Sequence, residues 1–238
     1  MQKKVILFIH GFMGSPKQFD RLTKQLADCG ADMLCLTLPG HGAGVEEFIK
    51  SGAEDWQEAV NEAIDRLRRD YDCIYLVGHS MGGLLAVLSA IKCSDKLCKV
   101  AALGFPIRVR VTYSWLSNAI RASRPPNEGE PVAVSAAREL SGVNIPGVGA
   151  YLRTLPSAAA FFGVVKKCGR ELSKLKTPLI IINSQLDEIV SPTSQSFVEK
   201  RLPNAEFLML PASGHFWFTP EDEEFILNRL KAMIAQDD

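Results

Sequence analysis

A serine between glycines, an aspartate and a histidine follow one another in this chain, and together they could do covalent chemistry. The serine is Ser80, in Gly78-His79-Ser80-Met81-Gly82. A hydroxyl is a weak nucleophile at neutral pH and needs a base to take its proton. A histidine held in one tautomer by a carboxylate can act as that base. The chain has four histidines. His10 and His41 sit in glycine-bearing turns, and His79 leaves the serine turn in another direction. His215, in Ala212-Ser213-Gly214-His215-Phe216, lies between the last strand-like run and the last helical one, so its loop can bring the imidazole over a sheet edge to Ser80. The carboxylate belongs between the two in sequence. Asp187 lies just past the run Leu179–Asn183, at the carboxyl end of a strand, where open α/β sheets place ligands. Glu188 is its rival, but an adjacent side chain faces another way. No acid follows the preceding strand near Gly104-Phe105-Pro106.

Acyl transfer by such a set also needs donors for the oxyanion of the tetrahedral intermediate. One expected donor is the N–H of Met81, the residue after the serine. The other is the N–H of Phe12, in His10-Gly11-Phe12-Met13-Gly14-Ser15, whose glycines let the backbone curl back towards Ser80. The same segment also reads as an ordinary tight turn before a helix, and both readings can hold together. Phe216 and Trp217 neighbour the expected site, and Trp115, Phe161 and Phe162 are candidates from the insertion at residues 105–170. Apolar residues around a nucleophile suit a fatty or aromatic acyl group, although each alone could be ordinary packing.

The elements that must position these residues are legible. Ser80 follows the apolar run Cys73-Ile74-Tyr75-Leu76-Val77 and opens the helix-prone run Gly83 to Ile91. A serine at such a strand-to-helix junction is a nucleophile elbow: the turn leaves no room for flanking side chains and holds the serine hydroxyl outward. Strands are expected at Val5–Ile9, Met33–Leu38, Cys73–Val77, Val100–Gly104, Leu179–Asn183 and Glu206–Leu210, alternating with helices. The fold class is therefore α/β, a mostly parallel sheet of six or more strands covered on both faces. Ser15-Pro16-Lys17-Gln18 has the serine, proline and glutamine of a capped helix start. Ser191-Pro192 and Thr219-Pro220 repeat the cap-then-proline pattern, and Gly30 stands where a left-handed helix terminator is expected.

The alternation breaks between about Phe105 and Arg170, where proline and glycine accumulate around helical stretches at Tyr113–Ala122, Val132–Leu140 and Ala158–Lys167. The expected organisation is a core of residues 1–104 and 171–238 with residues 105–170 inserted as a cap. That insertion holds nine basic and three acidic residues, a net +6, which leaves −6 on the remainder. A positive cap could attract an anionic substrate; a solvated outer face is the plainer reading, and is preferred.

Composition narrows the remaining classes. The 238 residues suffice for one α/β domain with an insertion. Basic and acidic residues balance at 27 each, so overall charge gives no argument for a nucleic-acid partner. The six cysteines show no Cys-x-x-Cys pair or zinc spacing and read as free thiols of a reducing compartment. The run Val5–Ile9 is too short for the apolar core of a signal peptide. No apolar stretch approaches the ~18 residues of a membrane span. A cytoplasmic protein is expected, with no signature of an oligomeric state.

With His10-Gly11-Phe12-Met13-Gly14, Pro39-Gly40-His41-Gly42, Gly78-His79-Ser80-Met81-Gly82-Gly83, Asp187 and His215 in this order, the chain resembles α/β-hydrolase-fold serine hydrolases. It is most similar to small bacterial carboxylesterases and monoacylglycerol-lipase-like enzymes, over roughly residues 4–104 and 177–236. The resemblance implies hydrolysis of a small-molecule acyl ester through an acyl-enzyme, with no metal or organic cofactor. The cap matches no particular substrate group. A thioesterase, or a lyase of the menaquinone-pathway type acting on an anionic substrate, would use the same three residues. A ligand-binding module that retains an inert fold is the non-enzymatic alternative.

Overall fold

The computed structural model describes residues 2–110 and 112–235, apart from the side chains of residues 113–116, 119 and 148. In chain order the first half comprises β1 (Lys4–Ile9), α1 (Asp20–Gln25), β2 (Asp32–Leu36), β3 (Ala43–Gly44), α2 (Val45–Phe48), α3 (Ala53–Asp70), β4 (Cys73–His79), α4 (Met81–Lys92) and β5 (Leu97–Leu103). Then follow α5 (Tyr113–Ala122), α6 (Val132–Glu139), β6 (Val143–Asn144), α7 (Val148–Arg153), α8 (Leu155–Glu171), β7 (Leu179–Ser184), α9 (Ser194–Glu199), β8 (Glu206–Leu210) and α10 (Pro220–Ala235).

The main sheet runs β2-β1-β4-β5-β7-β8, with every pairing parallel. All six expected strands are in it. The two-stranded pair β3–β6 was not expected. Side chains alternate along each strand. Val5, Leu7 and Ile9 of β1 therefore join the core shared with α3, α4 and α8, while Ile6 and Phe8 join the core shared with α1 and α10. Helix α3 shows why it lies on the sheet. Trp56, Val60, Ala63, Ile64 and Leu67 are buried at three- and four-residue spacing, and Glu58, Glu62 and Asp65 face solvent. Each fully buried large aliphatic side chain contributes roughly 1.5–3 kcal/mol.

Four local expectations need correction, one being Ser191-Pro192, which does not start a helix because α9 begins at Ser194 after Thr193. The capping box at Ser15 does not form: Pro16–Phe19 is a 3₁₀ turn and Ser15 makes no side-chain cap. The Ser15 hydroxyl instead donates to the Leu140 carbonyl at 3.2 Å, and the Gln18 amide oxygen accepts the Gly11 N–H at 3.1 Å. Tertiary partners outcompeted the local ones. Cys73 and Cys98 are joined by a disulfide, so four of the six cysteines remain free. Strand pairing brings their Cα atoms to 5.7 Å, a proximity that a separation of 25 residues gives no sign of. Helix α8 is also longer than the stretch Ala158–Lys167. By contrast, the Thr219 hydroxyl does accept the Asp222 N–H (3.3 Å) ahead of α10, and Gly30 is left-handed at φ +79°.

Between β5 and β7 the chain leaves the sheet for α5 to α8. Phe161, Val164 and Cys168 bury one side of α8 against the core that includes α4. Val132, Leu152 and Leu155 are more than half exposed. Much of the basic charge here is already engaged: Arg138 pairs with Glu130, Arg153 pairs with Glu46, and Arg108 lies over the Phe197 ring. Among the described residues no helix is long and apolar enough to cross a membrane.

Candidate active site

The junction of β4 and α4 holds Ser80 at φ +52°, ψ −120°, a conformation that a side-chain-bearing residue adopts only when its surroundings enforce it. The enforcement is visible. The Ser80 N–H donates to Leu103 of the neighbouring strand at 2.8 Å, and the Ser80 carbonyl accepts from Gly83 at 3.0 Å. A Cβ on Gly78 would collide with the Gly82 and Gly83 backbone, and one on Gly82 with the Ile9 carbonyl. Glycine is required at both flanks because β1, β4 and α4 meet there.

His215 comes from the loop after β8. Its Nε2 lies 3.0 Å from Ser80 Oγ, and its Nδ1 lies 2.7 Å from Asp187 Oδ2. Asp187 leaves the carboxyl end of β7, and its second oxygen accepts the N–H groups of Ile189 (2.8 Å) and Val190 (2.7 Å). Those amides fix the carboxylate, the carboxylate makes Nδ1 the protonated nitrogen, and Nε2 is left to accept from the serine hydroxyl. Glu188, the rival acid, points elsewhere: its Oε2 accepts the backbone N–H of His215 at 3.2 Å. His79 holds the other side of that loop, donating from Nε2 to the His215 carbonyl at 2.8 Å.

Burial alone would lower the His215 pKa, but the charge and hydrogen bond of Asp187 outweigh it and leave the imidazole above 6.5. Burial would likewise raise Asp187, yet His215 and the two amides hold its carboxyl below the ordinary value. The pair shifts in opposite directions, as a mutually stabilising acid and base should. His79 is pushed down to about 3, first by burial and then by His215, so it is a neutral hydrogen-bond donor at pH 7.

The loop after β1 is tied at nearly every polar group. Gly11 N–H donates to Gln18, Met13 N–H to His41 Nε2 (3.2 Å), and Gly14 N–H to the Gly11 carbonyl (3.0 Å). His10 bonds the Gly11 carbonyl through Nδ1 (3.0 Å) and accepts Leu38 N–H at Nε2 (3.1 Å). Burial lowers His10 to about 4 and His41 to about 3, which keeps both neutral and able to accept. Among the described residues the Phe12 N–H has no such partner. Met81, the first residue of α4, has an N–H with no intrahelical acceptor. These two amides are the expected oxyanion donors.

Above Ser80 lies a cavity of about 170 Å³. Phe12, Phe161, Phe162 and Phe216 line it, and Ala122, Ala133, Ala137 and Ala158 are among the other apolar residues of its wall. Trp217 does not line it; its indole lies against Gly214. The Trp115 side chain lies outside the described residues, and the Met81 side chain is fully buried away from the cavity. Gln18 and Arg110 are among the polar wall residues that sequence reading missed. Gln18 was visible only as a helix-start residue, and Arg110 only as one charge among nine.

A profile of the alpha/beta hydrolase family matches residues 6–227. A thermostable monoacylglycerol lipase of Bacillus sp. (strain H-257) is 22% identical over 97% of this chain and 90% of its own. The structure of a metagenome-derived lipolytic enzyme superposes with a TM-score of 0.76 at 24% identity, covering 99% of this chain and 94% of that one. The monoacylglycerol lipase of Paleococcus ferrophilus gives a TM-score of 0.72 at 18% identity, with 98% and 95% covered.

Proposed function

The chain belongs to the alpha/beta hydrolase family, and on that premise we propose that it hydrolyses carboxylic esters of short- to medium-chain acids through an acyl-enzyme on Ser80. One observation carries the reading: the unbroken relay from Ser80 Oγ to His215 (3.0 Å) to Asp187 (2.7 Å) at a floor shared with an apolar cavity. Ser80 Oγ attacks the ester carbonyl while His215 Nε2 takes its proton. Asp187 stabilises the resulting imidazolium. The Phe12 and Met81 amides receive the oxyanion, and their fixed orientation avoids reorganisation during the reaction. His215 then returns the proton to the departing alcohol. Water repeats the sequence on the acyl-enzyme, releasing the acid and restoring Ser80.

Residues 105–170 act as the cap, supplying much of the acyl wall. A monoacylglycerol lipase among the relatives makes monoacylglycerols of short and medium chain the natural esters to try beside p-nitrophenyl esters. A fluorophosphonate probe should label Ser80 in the wild type and nothing in Ser80→Ala, with ester turnover lost in parallel. Undiminished turnover by Ser80→Ala would end this reading.

A further inference from the structure

Two charged residues line the cavity above Ser80, Arg110 and Glu188. Glu188 has a task inside the protein, accepting the His215 N–H. Arg110 is engaged through only part of its guanidinium. Its Nη2 donates to the Asp187 carbonyl at 2.5 Å, and its backbone N–H to the Ile189 carbonyl at 2.8 Å. Its Nε is shut off from solvent with no hydrogen-bond partner. No ion pair joins its guanidinium to a carboxylate among the described residues, although Arg138 and Arg153 of the same insertion each have one. A guanidinium carries five donors in a planar fork suited to carboxylates. Leaving one buried and unmatched is costly, and proteins tolerate that cost where a ligand brings the acceptor. The cavity that Arg110 helps to line is walled largely by apolar side chains, which lowers the local dielectric and strengthens an interaction between charges inside it.

We propose that Arg110 reads a negative charge on the acyl group, and that the preferred substrates are half-esters of dicarboxylic acids. This rests on the assignment of Ser80 as the nucleophile. The free carboxylate meets the Arg110 guanidinium while the ester carbonyl lies at Ser80 Oγ. Ser80 displaces the alcohol, which leaves with the proton held by His215. Water then cleaves the acyl-enzyme, giving the dicarboxylate, one proton and the free serine. The carboxylate of Glu188 on the same wall opposes the anion and moderates the preference.

The test compares kcat/KM for p-nitrophenyl hemiglutarate with that for p-nitrophenyl pentanoate, a neutral ester of equal acyl length. The wild type should favour the anion tenfold or more, the scale of a charge-assisted hydrogen bond in a secluded site. Arg110→Gln should cut that ratio at least tenfold, Arg110→Lys should keep most of it, and Glu188→Gln should raise it severalfold. A wild-type ratio at or below one overturns the proposal. So does an equal loss on both esters in Arg110→Gln, which would leave Arg110 only as the anchor of the Asp187 loop. Should Arg110→Gln fail to fold, the wild-type, Arg110→Lys and Glu188→Gln ratios decide. A preference confined to 4-carboxyphenyl butyrate over phenyl butyrate would place the charge on the alcohol and also overturn it. Labelling of Ser80 by a neutral fluorophosphonate, run alongside, separates failure of this proposal from failure of the nucleophile assignment.

Discussion

The carboxyl-end rim of the sheet and the insertion above it are held together by different means. At the rim, Ser80, Asp187 and His215 are at most 6% exposed, and each is fixed by at least two hydrogen bonds from separate elements. In the insertion, Val132, Leu152 and Leu155 are 60% exposed or more, and helices α5 and α6 pack chiefly on each other. The proposed reaction would require the rim to hold its geometry within about 0.5 Å. The insertion needs only to present a surface of suitable shape and charge, which tolerates looser packing. The two regions are thus packed to different tolerances within one chain.

Substitutions can break or sharpen that contrast. The largest effect should come from Asp187→Asn, which leaves the shape nearly intact and removes the charge that fixes the His215 tautomer. kcat should fall by about 10⁴-fold. The pH profile should move as well. Turnover needs the neutral imidazole, so wild-type kcat/KM should fall as pH drops through the raised His215 pKa, above 6.5. Removing Asp187 removes what raises it, so the acid limb should move to lower pH. An unmoved limb would show that another group sets it.

Next in size is Leu84→Ala, a fully buried side chain of the helix that follows Ser80. Chemical denaturation should show a loss of about 2–5 kcal/mol. Ala137→Phe fills the cavity wall from the insertion. Octanoyl-ester kcat/KM should drop by about a hundredfold (~2.7 kcal/mol in activation free energy), with acetyl-ester turnover and stability nearly unchanged. Equal losses on both esters would mean that the insertion also shapes the chemistry, and the contrast would fail. The smallest effect belongs to Leu155→Ser, 60% exposed, where the unfolding free energy should change by less than about 0.5 kcal/mol.

The same contrast decides what a reader of the sequence could find. The six strands, the elbow and the order serine, aspartate, histidine rest on local patterns such as β-branched runs and glycine spacing. The structure places Ser80, Asp187 and His215 within hydrogen-bonding reach of one another. Asp187 and Glu188 were separable in advance because neighbouring side chains diverge, and Glu188 indeed turns to the His215 backbone. Ser15 and Gln18 misled because their local pairing competes with partners 125 and 7 residues away. The alanine wall, the Cys73–Cys98 link and the unmatched nitrogen of Arg110 depend on how separate segments fold over one another. Alanine at positions 122, 133, 137 and 158 has no periodic or chemical signature until those segments enclose a space.

The crowding at Gly82 has a practical corollary. Since any side chain there would strike the end of the first strand, the position of Ser80 cannot be adjusted by enlarging that residue. A library randomised at positions 78 and 82 would yield mainly unfolded clones. Useful diversity for redirecting this protein lies in the helices overhead, where Ala133 and Ala137 can grow without touching the machinery beneath.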